Sequence, residues 1–85
     1  MTPVTVYTRA YCPYCTRALA LLEKKGVSVN LIDASGCPVK RQEMIQRSGR
    51  WTFPQIFIGE KHVGGCDDLH ALEQRGALDP MLAGA

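Results

Sequence analysis

A four-residue segment, Cys12-Pro13-Tyr14-Cys15, falls where one periodicity gives way to another. Before it, Val4-Thr5-Val6-Tyr7-Thr8 is rich in β-branched and aromatic residues and predicts a strand, with Pro3 suited to its start. After it, Ala18, Leu19, Leu21 and Leu22 recur at helical spacing, and Gly26 supplies a stop. Val27 to Ile32 then predicts a second strand. Strand, cysteine pair, helix and strand make a βαβ unit, whose two strands should run parallel with a right-handed crossover.

The rest of the chain adds a second helix and a hairpin. Asp33-Ala34-Ser35-Gly36 is a turn, and Lys40 to Ser48 predicts a helix, with Pro38 near its first turn and Gly49 just past its end. Gln55-Ile56-Phe57-Ile58 and Lys61-His62-Val63 flank the two-residue turn Gly59-Glu60 and predict a hairpin on the same sheet. Gly64-Gly65 breaks that strand. Asp67-Asp68 opens a helix through Gln74, with acids in the first turn as the helix dipole prefers, and Gly76 ends it. Leu78 to Leu82 predicts a short last helix. The expected order is β-α-β-α-β-β-α-α, an α/β fold with a four-stranded mixed sheet and helices on both faces.

At 85 residues the chain has room for one domain spanning 1–85 and one modest core. A substrate must therefore bind in a surface groove. The net charge of +2 comes from scattered cations with no run longer than two, which argues against nucleic acid. A mildly basic rim still suits a small anion. No stretch approaches the ~20 apolar residues of a membrane helix. Met1 to Ala10 has no apolar core of signal-peptide length, so the expected compartment is the cytoplasm. There, four cysteines are expected to be working thiols or inert packing residues rather than structural disulfides.

The spacing of Cys12 and Cys15 puts them one helical turn apart on one face, where a disulfide closes with little backbone movement. Only a thiolate attacks a disulfide. Cys12, at the strand–helix junction, would face the positive end of the helix dipole, worth about 0.3–1 kcal/mol to an anion there. Further stabilisation must come from hydrogen bonds. Pro13 has no N–H, which leaves the N–H groups of Tyr14 and Cys15 and the Cys15 thiol as donors. Cys12 is thus the expected nucleophile, and Cys15, more shielded, the resolving thiol. A lone Cys-x-x-Cys is also compatible with half a zinc site, completed from Cys37, Cys66 or His62, or with two inert cysteines. Those three residues stand at unmatched spacings, and the placement inside a βαβ unit favours redox chemistry, with no metal expected.

Three segments carry a family resemblance. Tyr7 to Cys15 resembles the active-site segment of dithiol glutaredoxins, Thr52-Phe53-Pro54-Gln55-Ile56-Phe57-Ile58 resembles their Thr-Val-Pro segment, and Gly64-Gly65-Cys66-Asp67-Asp68-Leu69 resembles their glycine-rich turn and following helix. The match runs through essentially the whole chain and is most similar to the bacterial glutaredoxins. The resemblance implies a thioredoxin-like fold with Pro54 cis beside the active site. It implies a monomer that uses glutathione as reducing co-substrate, with disulfide-bearing or glutathionylated proteins as partners; ribonucleotide reductase is a family expectation only. It also implies a glutathione groove. The backbone of Phe53 would pair with the glutathione peptide in the manner of an added strand. The N–H groups of Cys66 and Asp67 would hold the γ-glutamyl carboxylate. Asp67 or Asp68 would take the ammonium, Arg9 the glycyl carboxylate, and Tyr14 and Thr52 would line the groove, with Gln42 a further candidate for the glycyl carboxylate. Each has a plainer alternative: Asp67 and Asp68 as helix-start charges, Arg9 as a solvated cation, Thr52 as a turn residue.

The chain departs from the family pattern at named positions. Arg9 stands where Lys is usual, which keeps the charge and changes the geometry. Phe53 replaces Val, Trp51 precedes Thr52, and Cys37 is an additional cysteine that is either an exposed thiol or inert. Two rival functions remain open from sequence: an iron–sulfur protein that bridges a cluster between two chains through Cys12 and glutathione, and an electron donor served by thioredoxin reductase.

Overall fold

A computed structural model describes residues 2–84. Its elements are β1 (Val4–Thr8), α1 (Pro13–Lys24), β2 (Val29–Asp33), α2 (Pro38–Ser48), β3 (Gln55–Ile58), β4 (Lys61–Gly64), α3 (Cys66–Gln74) and α4 (Leu78–Leu82). The order is the expected one, and the strands lie in the sequence β2-β1-β3-β4. β1 runs parallel to β2 and antiparallel to β3, and β3 and β4 form the hairpin.

Period-2 alternation sorts the strand residues between two cores. Val4 and Val6 of β1 and Ile56 and Ile58 of β3 pack with Ala18 and Leu22 of α1, Leu69 of α3, and Leu78 and Leu82 of α4. On the opposite face, Tyr7 and Phe57 pack with Met44 of α2. All four β3 residues are buried, as a central strand covered on both faces requires. The Tyr7 hydroxyl is bonded to the Glu43 carboxylate and accepts from Arg47 Nη1 at 2.8 Å. Burial first, and then Glu43, push the Tyr7 hydroxyl pKa up. The Arg47 guanidinium lies 4.3 Å over the Phe57 ring and closes that core from α2.

Several boundaries differ from expectation: β2 ends at Asp33 rather than Ile32, β4 runs through Gly64, which was expected to break it, and α3 starts at Cys66 rather than Asp67. β2 starts at Val29 rather than Val27, because its register is fixed by β1: Val4 faces Val29 and Thr8 faces Asp33. Val27 still packs on the first core, but outside the strand. α2 starts at Pro38 rather than Lys40, with Cys37 as N-cap in extended conformation and Pro38 in the first turn, where a missing N–H costs nothing.

The register also explains where a site can form. Tyr7 faces Gln55 across β1 and β3, so the loop leaving β1 meets the loop entering β3. Ile56 faces Gly64, so the start of α3 arrives at the same edge. Residues 9–15, 50–54 and 64–68 are therefore neighbours although far apart in sequence.

Candidate active site

Cys12 is the N-cap of α1, with extended backbone, and its sulfur accepts the Cys15 N–H at 3.2 Å. The sulfur does here what a Ser or Asp oxygen does at other helix starts: it satisfies a backbone donor left over by the first turn. Pro13 follows at N1, the position that tolerates it. The loop before Cys12 is unusual. Tyr11 has φ 55°, the left-handed region, and its side chain is 98% exposed.

Cys12 and Cys15 are both buried, at 5% and 2% exposure, so exposure does not tell them apart. Position and bonding do. Burial pushes the Cys15 thiol pKa up, and its hydrogen bond with Cys12 adds to the effect; the Thr8 hydroxyl and the Arg9 backbone act in the opposite direction. Cys15 is thereby held as the protonated partner that faces the Cys12 sulfur. Of the donors expected for Cys12, the Cys15 N–H makes its bond, whereas the Tyr14 N–H does not take part.

Beside this pair runs an open groove of about 420 Å³, lined by Tyr14, Arg50, Thr52, Phe53, Pro54, Gly65, Cys66, Asp67 and Asp68. Most of the residues singled out from sequence meet here. The Phe53–Pro54 peptide bond is cis. A Cβ on Gly65 would stand 3.5 Å from the Pro54 carbonyl oxygen, which measures how closely the α3 start approaches the proline loop. Two arginines lie over rim aromatics, Arg17 at 5.9 Å from Tyr14 and Arg41 at 5.9 Å from Phe53. With Arg50 they give the rim a positive character suited to an anionic ligand.

Other candidates are placed elsewhere. Arg9 is exposed at the end of β1, donates from Nη1 to the Ala10 carbonyl at 3.3 Å, and does not line the groove. Gln42 lies on the outer face of α2 in a separate depression with Val39 and Gln46. Cys37 is half-buried at the start of α2, and its side chain makes no cap hydrogen bond. Cys66 lines the groove as a buried thiol whose pKa burial pushes up, and its sulfur lies 3.4 Å from His70 Nδ1, which is 2.9 Å from the Cys66 carbonyl oxygen.

Three participants escaped the sequence reading. Arg50 lines the groove and pairs with Asp68 at 3.1 Å. The Thr8 hydroxyl bears on Cys15. Gln55, fully buried, donates from Nε2 to the Thr52 carbonyl at 2.9 Å and to the Thr52 hydroxyl at 3.1 Å. Thr8 and Gln55 stand inside two of the recognised segments without a role assigned to them there, and Arg50 lies two residues before Thr52.

A thioredoxin-like sheet with a Cys-x-x-Cys at the first strand–helix junction defines the class: a thiol–disulfide oxidoreductase. Known relatives narrow it. The family model for glutaredoxin matches residues 4–63. Glutaredoxin 3 of Escherichia coli is 58% identical over 82 residues, covering 96% of this chain and 99% of the relative. The solution structure of a Brucella melitensis glutaredoxin superposes with a TM-score of 0.85 at 63% identity, covering 96% of this chain and 89% of that one. A crystal structure of a buckwheat glutaredoxin–glutathione complex superposes with a TM-score of 0.86 at 32% identity, covering 98% of this chain and 78% of that one. The chain belongs to the glutaredoxin family, and within it resembles the bacterial type.

Proposed function

We propose that this protein is a glutathione-dependent oxidoreductase that reduces protein disulfides and glutathione–protein mixed disulfides, with Cys12 as nucleophile and Cys15 as resolving thiol. The observation that carries the reading is the 3.2 Å hydrogen bond from the Cys15 N–H to the Cys12 sulfur at the start of α1. It is a fixed donor aimed at the atom that must bear negative charge, at the positive end of a helix. Two free thiols one turn apart supply the electrons.

The Cys12 thiolate attacks one sulfur of a protein disulfide; a mixed disulfide forms, and the other substrate sulfur leaves as a thiolate that takes a proton. Cys15, deprotonated as it attacks, displaces the second substrate sulfur, and a Cys12–Cys15 disulfide remains. One glutathione thiolate opens it at Cys12, and Cys15 leaves. A second glutathione attacks the sulfur of the bound one, and oxidised glutathione departs with the Cys12 thiolate restored. A glutathionylated protein enters at the last stage, with glutathione left on Cys12 and the protein released as a thiol. A sulfur that is stable as thiolate is also a good leaving group, which speeds both exits.

In the groove, the cis Phe53–Pro54 segment offers backbone to the glutathione peptide, the free N–H groups of Cys66 and Asp67 receive the γ-glutamyl carboxylate, and Asp67 takes the ammonium, with Tyr14 and Thr52 as walls. Arg9 reaches the glycyl carboxylate by leaving its contact with Ala10. The reading requires no resident metal. Four free thiols suit a reducing cytoplasm, and the protein acts there as a monomer on disulfide-bearing or glutathionylated partners.

The test is reduction of a glutathione mixed disulfide coupled to glutathione reductase and NADPH. Turnover that disappears in Cys12→Ser is expected. A wild-type protein inert in this assay, yet reducible by thioredoxin reductase, overturns glutathione as the donor.

A further inference from the structure

We propose that Arg50 is a binding residue for the γ-glutamyl carboxylate of glutathione, and that Asp68 is the group that aims Arg50 rather than a ligand for the γ-glutamyl ammonium. The inference rests on the glutathione reading above and deepens it.

Arg50 belongs to none of the three recognised segments. It follows Gly49, whose left-handed conformation (φ 71°) ends α2 and turns the chain toward the groove. Its Nη1 lies 3.1 Å from Asp68 Oδ2, and that same oxygen accepts the Gly65 N–H at 2.8 Å. Asp68, although half-exposed, is therefore already engaged by two groups of the protein. The Gly65 N–H, and then Arg50, hold its carboxyl below the usual carboxylate range against the opposing effect of burial. Asp67, just before it in the chain and likewise exposed at the groove, takes part in no such pair among the described residues, which leaves it as the carboxylate for an ammonium.

Space at the strand end is reserved for this pair. A Cβ on Gly64 would stand 2.3 Å from Asp68 Oδ2 and 2.9 Å from Arg50 Nη1, so any other residue there would push both groups aside. Gly64 also has φ 118°, which a side chain would strain. The pair sits at the α3 end of the groove, beside the unsatisfied N–H groups of the first helical turn, and not at the Arg9 end. An α-carboxylate received by those N–H groups is therefore within the domain of the guanidinium. One of the N–H donors of Arg50 is taken by Asp68; the remainder of the planar fork is available to a carboxylate. Holding the fork in advance by an ion pair reduces the ordering cost of binding.

The test uses single turnover of the reduced protein, with no other thiol present. One peptide is supplied as its mixed disulfide with glutathione and, separately, with cysteinylglycine, which lacks the γ-glutamyl group. Release of the peptide thiol gives a second-order rate constant for each. The wild type should favour the glutathione form. In Arg50→Met that preference should fall about tenfold, the loss of one charge-assisted hydrogen bond, and Arg50→Lys should restore part of it. Asp68→Asn should lower it too, and the double variant should be no worse than Arg50→Met alone, because Asp68 acts through Arg50. A full preference retained in folded Arg50→Met, or additive losses in the double variant, overturns the assignment while glutathione recognition stands. A wild type with no preference overturns the glutathione reading and this inference with it.

Discussion

Gln55 Oε1 lies 2.7 Å from His62 Nε2 across the β3–β4 hairpin, and this contact fixes which way a fully buried amide points. The neighbouring groups assign the roles. The Thr52 carbonyl can only accept, so the Gln55 amide nitrogen faces Thr52 and its oxygen faces the imidazole, which donates from Nε2. No buried side-chain polar atom among the described residues lacks a partner. The chain of bonds runs from β4 through β3 to the loop that carries Thr52, Phe53 and Pro54.

Gln55→Glu tests that chain with almost no change of shape. The new carboxylate still accepts from His62 but sets an oxygen against the Thr52 carbonyl and hydroxyl in place of a donor. An orphaned buried acceptor costs about 1–3 kcal/mol, more for a charged one. The urea midpoint should drop accordingly at pH 7. The deficit should shrink toward acid pH, because the introduced carboxyl, once protonated, regains one donor. A midpoint equal to wild type at neutral pH would remove Gln55 from this role.

His62 gives the wild type an acid sensitivity. Burial, and then the charge of Arg50, push its pKa down, while Asp68 opposes weakly. The folded state therefore binds a proton on His62 less readily than the unfolded chain does, whose imidazole titrates near ~6.5. The unfolded state carries more protons in this window, so stability must decline as pH falls below about 6.5. The lowered Asp68 carboxyl adds a second decline at more acid pH, where its interactions with Gly65 and Arg50 are lost on protonation. His62→Gln keeps an N–H donor for Gln55 and has no titration, and should flatten the urea midpoint between pH 7 and about 5.

The eight elements and their order were legible because each carries its own periodicity and its own stop. Boundaries were less so. Val27 looks like strand in isolation, but only residues facing Val4–Thr8 have a partner, and the partner starts at Val29. The groove was legible where residues stand in contiguous segments: Thr52, Phe53, Pro54, Cys66, Asp67. Arg50 was not, because its role comes from Asp68, 18 residues away in sequence, and from a glycine that leaves room for both. Sequence alone also left Asp67 and Asp68 with equal standing. The Gly65 N–H and Arg50 separate them, by engaging the Asp68 carboxylate.

Tyr11 offers a test of what the active-site loop gives up in stability. A bulky residue in the left-handed region costs roughly 1–2 kcal/mol, and its exposed ring recovers nothing from packing. Asn adopts this conformation more easily. Tyr11→Asn should raise stability by about 0.5–1 kcal/mol, seen as a higher urea midpoint with unchanged slope. A lower midpoint would mean that the tyrosine ring makes a stabilising contact in solution.

In the proposed mechanism the two cysteines divide the chemistry unequally, and Cys15→Ser separates their parts. The Cys12 sulfur keeps its hydrogen bond in this variant, because the donor is the backbone N–H of residue 15 and not its side chain. Attack on a glutathionylated protein, followed by a second glutathione, needs only the Cys12 sulfur, so this activity should persist. Reduction of a protein disulfide needs an internal thiol to displace the second substrate sulfur, and should fall by an order of magnitude or more when it must wait for glutathione from solution, since an intramolecular nucleophile has a large effective concentration. The mixed disulfide between Cys12 and the protein should accumulate and be visible by mass. Cys12→Ser should lose both activities. Equal retention of both in Cys15→Ser would strip Cys15 of its resolving role and leave its burial beside Thr8 and Arg9 as packing alone.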